Sequence, residues 1–180
     1  MSKIAIVSKD DRILGSEERK IVYQKGLIHR LVRVLLFNDR DEVLLQWRSA
    51  NEDTFPSTWD QSAGGHVDEG EDYDTAAKRE LAEELGVKDI KLKLVDKFYT
   101  DSQIGEKIIR RFNAVFVGDY SGEFILQKEE VEKVKWFNFV DLMKEVEEKS
   151  KNFTPGLISI LSNEKIIAVH EAHNRKVGKL

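Results

Sequence analysis

The stretch from Gly65 to Val87, GHVDEGEDYDTAAKRELAEELGV, restricts what this chain can fold into more than any other segment. Residues 73–85 have helical periodicity: Ala77, Leu81 and Leu85 fall at i, i+4 and i+8, an apolar stripe that can pack on a sheet. Gly86 follows, the residue type that takes the left-handed conformation ending many helices. On the same helix Glu80, Glu83 and Glu84 stand at i, i+3 and i+4 and share one surface. At ~100° per residue that surface lies about a quarter-turn from the apolar stripe. The spacing thus predicts a helix buried on one side that presents acids at the rim of a cleft. Like charges this close repel unless something positive sits among them, so the trio marks a candidate metal-dependent enzyme.

Around that helix the chain reads as one α/β domain over residues 1–180. Residues 31–37 and 43–48 are apolar runs separated by NDRDE, which predicts a hairpin. The first 25 residues form an extension in which KIVYQ is the best strand. Pro56 and Ser57-Thr58 mark a turn before a short strand from Trp59 to Ala63, and Gly64, Gly65 and Gly70 predict a flexible loop. Residues 90–99 alternate like a half-buried strand, 107–117 read as its partner, and 133–139 as a further strand. Residues 140–150 and 155–171 read as helices of a C-terminal part running to 180, the second starting at Thr154-Pro155.

Composition narrows the function classes. With 29 basic and 33 acidic residues and a net charge of −4, there is no electrostatic case for binding nucleic acid. No run of about 18 apolar residues is present to span a membrane, and MSKIAIVSKDDR has too short an apolar run for a secretory signal. The chain lacks cysteine, which excludes disulfides, thiolate metal sites and cysteine nucleophiles. The default expectation is a cytoplasmic protein.

The fixed positions Gly65, Glu71, Arg79, Glu80, Leu81, Glu83, Glu84, Gly86 and Val87 resemble the Nudix box in full. The segments GLIHRLVRVLLF (26–37), VLLQWRS (43–49) and FPSTWDQSAGGHVDEGE (55–71) are similar to the isopentenyl-diphosphate-isomerase-like branch of that superfamily; beyond about residue 120 no specific similarity is seen. The resemblance implies an α/β/α sandwich with a mixed sheet, the box forming a loop-helix-loop. It implies hydrolysis of a small-molecule diphosphate, a nucleoside diphosphate derivative or related compound, with Mg²⁺ or Mn²⁺, and it is compatible with a homodimer.

By that resemblance Glu80 and Glu84 are the expected metal ligands, with Glu83 joining directly or through water. Gly65 adds its carbonyl, because glycine lets backbone approach closely. The general base is Glu80 or Glu83, or comes from a later loop holding Glu123, Glu129 and Glu130. The resemblance makes Glu71 and Arg79 a structural ion pair tying loop to helix, and Arg79 can also reach Glu83, four residues on.

Other residues carry two readings each. Arg48, and Glu129 or Glu130, are candidates for substrate contact; a capping arginine and a solvated acidic turn are the plainer alternatives. Trp47 and Trp59 either stack on a substrate ring or fill a core, as strand aromatics more often do. Arg110 and Arg111 either bind phosphate or ride an exposed strand face, the latter being the favoured reading. His29 and His66 sit where isopentenyl diphosphate isomerases place histidines of a separate metal centre, but packing or loop positions are the favoured reading. Isomerisation is a competing function, against which stand Gly64 where that branch has its cysteine, and EKIIRRFNAVF where it has an acidic pair. A non-catalytic nucleotide sensor is a third.

Overall fold

A computed structural model of the chain describes residues 3–177. Its strands are β1 (Lys3–Val7), β2 (Ile13–Glu18), β3 (Ile28–Phe37), β4 (Glu42–Arg48), β5 (Trp59–Asp60), β6 (Ala63–His66), β7 (Lys93–Ile104), β8 (Lys107–Asp119) and β9 (Val131–Asn138). Its helices are α1 (Arg19–Lys25), α2 (Tyr73–Leu85), α3 (Phe139–Glu148), α4 (Pro155–Leu161) and α5 (Glu164–Val177). The strands form one mixed sheet in which β3 and β8 run parallel, from Ile28 opposite Arg110 to Phe37 opposite Asp119.

Strand alternation decides the layers. Val32, Val34, Leu36, Leu44 and Phe116 turn to one face and meet Ala76, Ala77, Leu81 and Leu85 of α2. Leu35, Phe37, Leu45, Val115 and Val117 turn to the other face and pack against Leu142, Leu157 and Ile166 from α3, α4 and α5. The architecture is helix, sheet, helix, as the α/β/α expectation required. On α5, His170 and His173 reach Asp41 at 2.7 and 3.0 Å, and His170 stacks on Phe139 at 4.1 Å between ring centres.

Helix α2 occupies the residues that its periodicity predicts. Asp72 caps it by accepting the Thr75 N–H at 2.8 Å. Gly86 ends it at φ 69°, and a side chain there would also strike Ile125 at 2.9 Å. Leu81 and Leu85 are fully buried, so Leu81→Ala costs about 2–5 kcal/mol. The loop following β8 crosses the C-terminal end of α2, where the N–H groups of Ile125 and Gln127 donate to the carbonyls of Leu85 and Glu84 at 2.9 and 3.0 Å. Those bonds satisfy carbonyls that a helix end leaves open.

The sheet forks beside that helix. β3 and β4 pair at Phe37 and Val43 and then part. β6 continues along β3 from Leu31 to Val34, and β5 continues along β4 at Gln46 and Trp47. At the point of parting, the buried Ser62 hydroxyl accepts the Leu36 N–H at 2.8 Å and donates to the Leu44 carbonyl at 2.6 Å. One side chain thus replaces the ladder bonds the separating strands lose. The opening is the cleft described below.

Four local expectations change. KIVYQ is helical in α1, closed by Gly26 at φ 60°, because Val22 and Tyr23 bury together with Ile4 and Ile109. The N-terminal strands are β1 and β2 instead, and residues 1–2 and 178–180, at the ends of the expected terminal segments, lie outside the described residues. The strand expected from Trp59 to Ala63 is two strands, split at Gln61-Ser62 by the fork. Gly64 and Gly65 lie in β6, paired to Arg33 and Val32, and not in a loop. The helix expected over 155–171 breaks at Ser162-Asn163 into α4 and α5.

Candidate active site

A cleft of about 790 Å³ opens where β3 and β4 part. One wall is acidic and rises from α2; the other is basic and rises from β3 and β8.

On the acidic wall, Glu80 and Glu84 are buried, whereas Glu83, one turn on from Glu80, has a largely exposed side chain. Arg79 organises them. Its Nε and Nη2 grip both oxygens of Glu71 at 2.8 and 3.0 Å, and Nη2 also reaches the His66 carbonyl at 2.9 Å. Its Nη1 donates to Glu80 at 2.8 Å and to Glu83 at 3.0 Å. Glu71 is thereby tied to the helix, and its second oxygen accepts the Asp68 N–H at 3.0 Å. Those hydrogen bonds from Arg79, led by the Glu71 pair, raise the guanidinium pKa and hold the Glu71 carboxyl below its ordinary value.

Glu84 accepts from the Gln46 amide at 3.0 Å and from the Gly64 N–H at 3.4 Å. Burial, then the charge of Glu80, pushes its carboxyl well above the ordinary value. Burial likewise carries Glu80 up to about 7 against the pull of Arg79. A Cβ on Gly65 would stand 2.1 Å from Oε1 of Glu80, so only glycine admits that carboxyl against the β6 backbone. Glu130 also lines this wall; burial, then Glu52 and Glu83, raises its carboxyl. Glu129 is exposed and, like Glu123, is not part of the lining.

On the basic wall, Arg48 lines the cleft but spends its donors on the loop after β4. It bonds the carbonyls of Thr54 and Phe55, pairs with Glu52 at 2.6 Å and reaches Asp60 at 3.4 Å. That loop holds Phe55 and Ser57 at φ 50° and 53°, left-handed values that side chains other than glycine disfavour. Arg33 is buried, its Nε on Asn113 at 3.1 Å and Nη1 on Gln61 at 2.7 Å. Arg111 alternates with Ile109 and Asn113 onto the cleft side of β8, which corrects its reading as an exposed residue. Arg110 does take the outer face, paired with Asp101 at 3.1 Å.

His29 and His66 come together with ring centres 5.4 Å apart, and the Tyr23 hydroxyl meets His66 Nε2 at 2.8 Å. Burial drives both toward the neutral form, His29 to about 4. Trp47 and Trp59 pack on each other at 5.0 Å and Trp59 on Phe137 at 5.1 Å; neither lines the cleft.

Among the described residues no three His, Cys, Asp or Glu side chains converge on one metal position; Arg79 lies between Glu80 and Glu83. The donor chemistry still fits a hard divalent cation. Buried carboxylates at Glu80 and Glu84 carry a desolvation cost that a cation offsets, the donors are all oxygen, and the backbone at Gly65 is bare against Glu80.

A family model described as NUDIX domain matches residues 27–157. The chain belongs to the Nudix family. Within it, the chain is 38% identical over 133 residues to an uncharacterized Nudix hydrolase of Pseudomonas aeruginosa, covering 74% of this chain and 76% of that one. It is 33% identical over 140 residues to isopentenyl-diphosphate Δ-isomerase 2 of Photorhabdus laumondii, covering 77% and 78% respectively. The fold superposes on a Deinococcus radiodurans crystal structure with a TM-score of 0.73 at 22% identity, covering 88% of this chain and 96% of that one. The isomerase-like branch expected from residues 26–71 is therefore the part of the Nudix family this chain resembles. As a Nudix enzyme it is a hydrolase acting on pyrophosphate linkages. None of its described helices is long and apolar enough to cross a membrane.

Sequence reasoning missed Arg33, Gln46 and Asp60 as cleft residues. Arg33 had a signal, a lone charge inside the apolar run LVRVLLF; Gln46 and Asp60 had none that a single strand could give.

Proposed function

We propose that this Nudix enzyme cleaves the phosphoanhydride of a small organic diphosphate, with a nucleoside diphosphate derivative as the leading substrate class and Mg²⁺ or Mn²⁺ as cofactor. The observation that carries the reading is the complete box, folded so that Glu80, Glu83 and Glu84 reach one cleft. Glu80, Glu84, Glu83 and the Gly65 carbonyl would hold the cation. When bound, such a cation neutralises diphosphate charge and acidifies water.

The remaining work falls to the chain. Glu83, exposed on the cleft side of α2, is the preferred general base: its carboxylate takes a proton from the water that attacks phosphorus. Glu80 is the alternative, provided the cation leaves one of its carboxylate oxygens free to take the proton. The P–O bond of the bridging oxygen breaks, and two phosphate products leave. Arg79 aims Glu83 and, through Glu71 and the His66 carbonyl, fixes the end of β6 and the loop that follows it. Gln46 orients Glu84.

The test is incubation with Mg²⁺ or Mn²⁺ and a panel of nucleoside diphosphate derivatives, with separated products. A phosphate monoester product supports the reading. Absence of turnover across the panel by folded protein counts against it. The neutral pair His29 and His66 keeps isomerisation of a homoallylic diphosphate as a second reading. The missing cysteine at Gly64 weighs against it, and detection of the allylic product would restore it.

A further inference from the structure

Arg33 and Arg111 are the unexplained feature of the cleft. Arg33 is buried, yet its two hydrogen bonds go to the neutral amides of Asn113 and Gln61. Arg111 donates to nothing that would hold its charge, and its Nε is buried with no partner. Neither forms an ion pair among the described residues, in contrast to Arg48, which pairs with Glu52 at 2.6 Å and Asp60 at 3.4 Å. Asp60 is the acid nearest in effect to both, but its Oδ1 is held by the Thr154 hydroxyl at 2.6 Å and the Gln61 N–H at 3.0 Å.

The site is built to keep these charges in place. A Cβ on Gly156 would lie 2.5 Å from both Nη1 and Nη2 of Arg33, so the start of α4 leaves room for the guanidinium. Arg19 and Lys107 add charge where the same wall meets solvent. A buried guanidinium at Arg33 and a half-buried one at Arg111, neither with a carboxylate among the described residues, are costly to the fold. A planar fork of N–H donors matches an oxyanion at two points.

We infer that Arg33 and Arg111 form a phosphate-holding subsite, and that preferred substrates carry one phosphate beyond the two joined by the scissile anhydride. The substrate class rests on the hydrolase reading above; the anion site does not. The acidic wall acts on the anhydride, and the basic wall grips the additional phosphate and selects the molecules that bear it.

Calorimetric titration of inorganic phosphate into the full chain, with chelator present, tests the site without catalysis. One saturable site is expected, weakened about tenfold to hundredfold in Arg111→Gln and in Arg33→Gln. Arg110→Gln removes the same charge from the exposed neighbour and leaves phosphate affinity at the wild-type value. No saturable binding, equal weakening by Arg110→Gln, or undiminished binding by a folded Arg111→Gln protein overturns the site. If Arg33→Gln does not fold, Arg111→Gln decides.

The source of the phosphate is then read from two dinucleotide diphosphates that differ by a single phosphate monoester. Wild type favours the phosphorylated member in kcat/KM by about tenfold or more, and Arg111→Gln abolishes the preference mainly through KM. Phosphate binding without that preference assigns the site to free phosphate and overturns the substrate class. Failure to turn over either compound strikes the hydrolase reading alone.

Discussion

Arg79 and Arg111 line the same cleft under opposite conditions. Arg79 places its donors on Glu71, Glu80, Glu83 and the His66 carbonyl, a match for the five N–H groups a guanidinium carries. Among the described residues Arg111 has no carboxylate partner, and its buried Nε has nothing to bond. The matched arginine holds acids at fixed positions and stabilises the fold. The unmatched one costs stability and waits for a negative ligand, the usual exchange at sites kept for function. Charge inside a cleft is thus informative when its partners are counted, more than when its sign is noted.

The largest effects fall on the acidic wall. Glu83→Gln and Glu84→Gln each lower turnover by ~10²–10⁴-fold in a protein that still folds, because an amide keeps the shape but neither takes a proton nor carries charge. Steady-state rates on a substrate found in the panel check this; near wild-type rates in both would remove the box from the reaction.

Arg79→Lys comes next. A single ammonium cannot span Glu71, Glu80 and Glu83, so the loss of charge-assisted bonds costs ~1.5–3 kcal/mol of stability and about tenfold or more in kcat. Chemical denaturation and kinetics measure the two together. Arg111→Leu should move stability the other way, up by about 1 kcal/mol or a few degrees in Tm, since it removes a buried unpartnered donor. A lower Tm in Arg111→Leu would break the contrast between the two arginines.

The smallest effect is an acid-dependent one at the edge of the acidic wall. Asp11 accepts from Arg30 at 2.7 Å, Lys97 at 2.6 Å and Tyr73 at 2.9 Å, tying the N-terminal hairpin to the first turn of α2. Burial raises its carboxyl, but these bonds outweigh burial and hold it below the ordinary 3.8. Its stabilisation is therefore full above that value and disappears as pH falls through the lower folded-state value. Asp11→Asn should cost about 1 kcal/mol at pH 7, and the difference in Tm from wild type should shrink as pH falls below 3.8. A difference independent of pH would exclude the charge as its cause.

Legibility followed the range of the forces involved. Helix α2 was readable because the apolar stripe and Gly86 both act within the segment. α1 was misread because Ile21, Val22 and Tyr23 favour strands locally, and what makes them helical is packing on Ile4 and Ile109 from other elements. The glycine pair in β6 and the break at Ser62 follow from the fork between β3 and β4, which no local pattern encodes. The acid wall was readable for the reason α2 was. The basic wall draws Arg33 from β3 and Arg111 from β8, which line one cleft only because those two distant segments pair in parallel.

The most direct test follows ³¹P signals of organic diphosphates exposed to wild type and Glu83→Gln in millimolar Mg²⁺. Conversion of the coupled diphosphate signals to monophosphate signals by wild type, and their persistence with Glu83→Gln, is the predicted result. Intact diphosphate signals with folded wild type across the panel, or equal cleavage by Glu83→Gln, would contradict the account.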